Sequence, residues 1–372
     1  MALLSKAQTC PLDVQHIIMS CLTPKDTAHM ASTCRNWLYA SRERLYRTLT
    51  LHCHCVTLKL LGRTLNRSAE IRNFVKFLSI SYCERWTLPD WMTLLPAGNV
   101  RQVRLYHPTW PNRCASTVLS LPLMNQVHTL SLKSRLWGWE LKELTALPNL
   151  RRLWLEQCDV LEGCAELQLP LLPFSLSDCR LTLIDVPVLH INFLRSFAAN
   201  INVTGLLIHI PHESKALLGS LATVLKSSFT TLHYLAIESP AYHGPPIMDD
   251  VLPHLPRLTY LMCGGGLYRE GVLPDNLSEL HLYTDDFEVI QGVLCQLEAK
   301  KRCMERSSPS SPGLSLRKFR ILCFGRVDHT GLRKKSAELG VELICCYSYL
   351  PRANIRSIQR DLEREGNWFP VC

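Results

Sequence analysis

From about residue 75 onward, apolar side chains recur in a fixed rhythm: one, then another three residues later, then a third after a single polar position. Val75, Leu78 and Ile80 follow it, as do Leu150, Leu153 and Leu155, and Leu171, Phe174 and Leu176. Cys83, Cys158 and Cys179 stand three residues beyond each third position. Looser copies begin at Val100, Val127, Val188, Val203, Leu232, Leu258, Leu277 and Leu316, with a last strand near Val341–Cys345. Successive starts from 75 to 171 lie 25, 27, 23 and 21 residues apart. The steps from 171 to 188 and on to 203 are 17 and 15, so that region is compressed or holds a different element. Alternation within each copy predicts a short strand with one face inward. A helical period predicts return segments over 139–145, 213–227, 287–305 and 331–339. One strand and one return segment cannot bury their own apolar side, so the copies must stack.

The first fifty residues have a different period. Val14, Ile17, Ile18, Cys21 and Leu22 form one apolar helical face, with Pro11 suited to the first turn and Asp13 to the positive helix end. Thr23-Pro24-Lys25-Asp26 opens a second helix as a capping sequence. A third covers about 34–44, with Trp37, Ser41 and Leu45 on one side. Three short helices cannot enclose a sizeable core, so their apolar surplus needs a partner.

The strand template Leu-x-x-Leu-x-Leu-x-x-Asn/Cys at this period is that of leucine-rich repeats. It predicts an α/β solenoid with parallel strands inside and helices or irregular segments outside. The segments Cys10-Pro11-Leu12-Asp13-Val14, Ile18-Met19-Ser20-Cys21-Leu22, Pro24-Lys25-Asp26, Cys34-Arg35-Asn36-Trp37 and Leu45-Tyr46-Arg47 resemble an F-box. Cys10, Asp13, Met19, Thr27 and Thr33 depart from the family pattern. The chain as a whole looks like an F-box protein with leucine-rich repeats, of the kind expanded in fungi. The expected division is an adaptor-binding head over 8–50 and a solenoid over 51–372, with a Ser/Pro loop near 300–314. The resemblance implies that Pro11, Leu12, Ile18, Met19, Leu22 and Pro24 contact a Skp-type adaptor, which links to a cullin scaffold. The whole would be the substrate-recognition subunit of an SCF-type ubiquitin ligase. An interaction scaffold without ubiquitin transfer is the rival reading.

Composition changes little. Apolar residues make up 47% and charged residues 20%, as in an ordinary globular protein. The net charge of +9 is spread along the chain apart from Lys300-Lys301-Arg302, which suits a basic surface or an acidic partner better than nucleic acid. Seventeen cysteines without a C-x-x-C pair point to reduced thiols, hence a cytoplasmic or nuclear protein. The first ten residues lack a signal-peptide core, and no apolar run is long enough to span a membrane.

Candidate chemistry is sparse. His52-Cys53-His54-Cys55 lies in a stretch, 49–60, that alternates like a strand, so its histidines and cysteines face opposite ways and no metal is expected. Gly264-Gly265-Gly266 lacks the partners of a phosphate loop, and no nucleophile motif appears. Neither catalysis nor a cofactor is expected. Trp110, Arg113, Arg135, Trp137, Trp139, Tyr242, Tyr268 and Arg269 follow predicted strands and so emerge along one rim. Residues of these types dominate binding hot spots, which makes the rim the expected target surface. The alternative is that the rings fold back to plug the edge of the solenoid.

Overall fold

The computed structural model describes residues 10–33, 35–52, 57–81, 88–106, 118–133, 144, 147–158, 176–183, 188–210, 215–239, 244–284, 286–307, 315–323 and 330–347. The chain divides into two compact units. The first is Met1–Glu156 with Leu169–Ser177, and the second is Gln157–Gln168 with Asp178–Cys372.

The first unit opens with helices α1 (Leu12–Cys21), α2 (Pro24–Thr33) and α3 (Arg35–Arg47). Leu22 turns extended and ends α1. Thr23 then caps α2: its hydroxyl oxygen accepts the Asp26 N–H at 3.2 Å, and its hydrogen goes to the Asp26 carboxylate at 2.6 Å. Thr27 occupies a buried position, and its hydroxyl is satisfied by Thr23 C=O at 2.9 Å. Met19, Trp37 and Ala40 form the core of the head, with Cys10, Leu22 and Met30 packed around them.

Strand β1 (Thr48–His52) follows α3 without a break. It begins a parallel, in-register ladder with β2 (Phe77–Ser81), β3 (Gln102–Tyr106), β4 (Thr129–Lys133) and β5 (Arg152–Cys158). Leu49, Leu78, Val103, Leu130 and Leu153 stand abreast, 29, 25, 27 and 23 residues apart. They and their partners two residues on are buried, because alternation sends both to one face of the ladder. The backs are short: α4 (Thr57–Arg67), α5 (Ala69–Phe74) and α6 (Asp90–Thr93), then a 3-10 turn at Pro122–Gln126.

The second unit repeats the plan with β6 (Asp178–Leu183), β7 (Gly205–His209), β8 (Tyr234–Glu238), β9 (Tyr260–Gly264), β10 (Glu279–Tyr283), β11 (Lys318–Cys323) and β12 (Glu342–Tyr347). All are parallel and in register with their neighbours from β6 to β12. Its helices are α7 (Val188–Asn200), α8 (Lys215–Ser228), α9 (Ile247–Val251), α10 (Phe287–Ser307) and α11 (Thr330–Leu339). The solenoid class is as expected, and the return helices over 213–227, 287–305 and 331–339 are present.

Four local expectations change. The copy at Leu171 changes at its described end: Cys179, expected three places beyond the strand, lies within the strand Asp178–Leu183, where Cys179, Leu181 and Leu183 are buried, and Leu171 and Phe174 lie outside the described residues. Val188 starts a helix, so the two short steps merge into one repeat of 25 residues, Leu181 to Leu206. An apolar residue every third or fourth place serves a strand template and a helix alike, and here the longer run folded as helix. Of the stretch 49–60, the described residues form strand β1 up to His52 and helix α4 from Thr57. Lys300, Lys301 and Arg302 lie on α10, which fills much of the 39-residue step between Leu280 and Phe319. The Ser/Pro segment 308–314, Cys53, His54, Cys55 and Cys83 lie outside the described residues.

Candidate functional site

Helix α1 is apolar on the side that faces away from the head's core. Val14 (38% exposed), Ile17 (64%), Ile18 (38%) and the exposed Cys21 thiol form that side, while Leu12, 48% exposed, stands at the start of the helix on the Met19 side. On the opposite side, Gln15 and Met19 are buried. Gln15 is held there because its amide donates to Cys10 C=O at 2.7 Å, and Met19 accepts the Ser41 hydroxyl at its sulfur at 3.4 Å. Trp37 and Ala40 of α3 share the core with Met19, and Ser41 is buried against the Met19 sulfur. Four large apolar groups are thus exposed together on one short helix, the arrangement of a surface built to be covered.

Of the residues expected at an adaptor interface, Pro11, Leu12, Ile18 and Pro24 are exposed, and Leu22 is half-buried against the core. Met19 is not on this surface: at 1% exposure it belongs to the core and supports α1 from beneath. Val14 and Ile17 join the surface instead. Their spacing made them apolar-face residues from sequence, but spacing alone does not say which side of a helix turns outward.

The head is fixed to the first repeats within the same unit. Tyr39 on α3 sets its ring edge-on against Phe74 of α5, centroids 5.2 Å apart, and Arg42 lies 4.0 Å from Glu70. Since β1 continues directly from α3, the direction of the exposed α1 face is set relative to that ladder.

On the expected target rim, Trp110, Arg113, Arg135, Trp137, Trp139 and Tyr242 lie outside the described residues. Tyr268 is fully buried, and its hydroxyl donates to Gly271 C=O at 2.9 Å. Burial, with the Asp249 charge nearby, pushes its phenol well above the usual range. This ring folds back into the edge, so Tyr268 is corrected to a core residue. Arg269 remains exposed on a pinned loop, because the Asp249 carboxylate accepts both the Arg269 and Glu270 N–H groups at 3.0 Å.

The strand faces opposite the core carry polar networks. In the first unit, buried Glu156 accepts from Arg104 at 2.7 Å and from Ser131, and Lys133 sits over the Tyr106 ring. In the second, Arg180 lies over Tyr234, whose ring is 6.2 Å from that of Tyr260. The Tyr260 hydroxyl and His281 Nδ1 are 3.2 Å apart, and His281 Nε2 is 3.5 Å from Glu279. The hydrogen bond with His281, followed by Lys318, holds the Glu279 carboxyl below the usual range against the opposing effect of burial. Cys179 and Cys263 are fully buried, and desolvation raises both thiols so that they stay protonated. Among the described residues, no group of three or more His, Cys, Asp or Glu is placed to hold a metal ion. No helix among them is long and apolar enough to cross a membrane.

These features define a repeat protein with a helical head. Residues 9–47 match the F-box domain family, so the chain carries an F-box domain ahead of a leucine-rich-repeat-type solenoid. F-box domains generally bind Skp-type adaptors, and proteins that join them to such repeats generally act as non-catalytic receptors. No curated protein matches the chain. Among solved structures, a leucine-rich-repeat protein of Leptospira interrogans is similar at 15% identity over 76% of this chain and 74% of that one, with a TM-score of 0.30. The repeat assignment rests on the strand ladders themselves.

Proposed function

We propose that the protein is the substrate-recognition subunit of an SCF-type ubiquitin ligase. The observation that carries this reading is the exposed apolar face of α1 within the F-box domain. Pro11, Leu12, Val14, Ile17, Ile18, Leu22 and Pro24 seat a Skp-type adaptor, and through it a cullin scaffold. A target protein is held by the solenoid, with Trp110, Arg113, Arg135, Trp137, Trp139, Tyr242 and Arg269 as its rim contacts. This chain contributes effective concentration rather than an acid, base or nucleophile.

The test is co-purification of tagged full-length chain with adaptor and cullin, beside a Leu12→Asp/Ile17→Asp variant. Both sites are exposed, so the variant folds with little change in stability. Each substitution forfeits burial worth about 1–2 kcal/mol and places a charge in an apolar contact, so adaptor affinity falls roughly 100-fold or more. A wild-type chain that folds but captures no adaptor sinks the proposal, as does equal capture by the variant.

A further inference from the structure

The first unit carries a basic column, four Arg and Lys cations and one histidine, that the fold does not use. Arg47, Lys76, Arg101, His128 and Arg151 occupy the same register position, just before each of the five strands β1–β5. Their backbones are bonded in series: Lys76 N–H to Arg47 C=O at 2.9 Å, Arg101 to Lys76 at 2.8 Å, His128 to Arg101 at 2.8 Å, and Arg151 to His128 at 2.9 Å. Arg47, Arg101 and Arg151 are exposed, and Lys76 and His128 half-buried.

The second unit shows what this position does when it serves the fold. Its counterparts are Thr204, His233, Thr259, Ser278 and Arg317, linked by the same series of backbone bonds. There the short hydroxyls tie neighbouring repeats together: Thr204 to Cys179 C=O at 3.0 Å, Thr259 to His233 C=O at 3.0 Å, and Ser278 to Thr259 C=O at 2.9 Å. Long cations cannot make that tie. In the first unit, none of the five has an ion-pair partner among the described residues. In the same unit, the Glu70 carboxylate is engaged by Arg42 and that of Glu156 by Arg104. Strands in a ladder lie about 4.8 Å apart. That spacing is below the Debye length of about 8 Å at physiological salt, so the adjacent charges of Arg47, Lys76 and Arg101 repel one another.

We propose that this column is a docking surface for an acidic helix of a partner protein. The geometry favours that occupant. An α-helix advances about 5.4 Å per turn, so one carboxylate per turn meets about one strand per turn. Across the four steps of the column, about 19 Å of strands faces about 22 Å of helix, a mismatch that flexible Arg and Lys side chains absorb. Single-stranded nucleic acid is held by cations combined with aromatic platforms that stack bases, and of the residues following the column (Thr48, Phe77, Gln102, Thr129 and Arg152) one is aromatic. The surface goes beyond the adaptor reading and stands whether or not the head takes an adaptor.

The test uses purified full-length chain and fluorescence anisotropy at low salt. The probes are a helical peptide of about 20 residues with glutamates on one face, the same composition scrambled around the helix, and a single-stranded oligonucleotide of equal charge. Variants are Arg101→Glu/Arg151→Glu and, as a control on the second unit, the exposed Arg257→Glu. The striped peptide binds tighter than the scrambled one. The double reversal, removing two attractions and adding two repulsions, weakens it roughly 30-fold, while Arg257→Glu leaves it within about twofold. Circular dichroism checks that the variants fold. Adaptor capture is run in parallel: it is unchanged by the double reversal, and Leu12→Asp/Ile17→Asp leaves peptide binding intact. No binding by folded wild type, equal binding of the scrambled peptide, indifference to the double reversal, or tighter binding of the oligonucleotide would each overturn the proposal.

Discussion

Tyr268 offers the sharpest check on how the edge of the second unit is built, because a surface role and a core role predict opposite outcomes. Its ring is fully buried, its hydroxyl donates to Gly271 C=O, and the hydroxyl oxygen accepts from Gln296 Nε2 at 3.4 Å. Truncation to alanine removes a buried aromatic ring and leaves a cavity, which costs about 3–5 kcal/mol. Tyr268→Phe keeps the ring and loses about 1 kcal/mol for the hydrogen bond. Amide hydrogen exchange of peptides covering β9, β10 and α10 reads these costs as faster opening, with peptides of β2–β4 as the internal reference. Expected accelerations are about 150- to 4,000-fold for alanine and about fivefold for phenylalanine, at a factor of ten per 1.4 kcal/mol. If Tyr268→Ala exchanged like wild type and lost only a partner, the ring would be a binding residue and the packing argument would be wrong.

Two further outcomes follow from neighbouring contacts. A Cβ on Gly271 would sit 2.4 Å from Asp249 Cα, a backbone atom that cannot step aside. Gly271→Ala should therefore lower stability by about 1–3 kcal/mol, and an unchanged melting temperature would refute the close approach. Glu279, held below its ordinary range chiefly by His281, contributes stability that is present above about pH 4.3 and lost as pH falls through its lower folded value. Glu279→Gln should flatten that part of the acid limb in a pH series of thermal melts; a limb identical to wild type would show that the carboxylate is not coupled to folding.

Much of the architecture was legible in residue order. Leucine spacing gave the strands at Leu78, Val103, Leu130, Leu153, Leu206, Leu235, Leu261, Leu280 and Phe319, because alternation and a repeat period are local properties. The capping residues Thr23 and Asp26 and the F-box motif were equally local. What happens around Val188 was not, since the same apolar spacing suits a strand template or a helix and only the neighbours choose. Nor could residue type place Tyr268, whose ring is buried with a hydrogen bond to Gly271 although it would suit a binding surface as well.

The sequence by itself determined a stacked repeat array with a helical head, because periodicity, caps and an apolar surplus are written in the order of residues. The direction in which each face points was decided only by the tertiary structure. Trp37 and Ala40 took the Met19 side of α1 and left Val14, Ile17 and Ile18 outward. Arg47, Lys76, Arg101, His128 and Arg151, separated in the chain by 23 to 29 residues, became one column only when the strands aligned in register. Distances along a chain do not add up to proximity until a ladder brings equivalent positions within about 5 Å of each other.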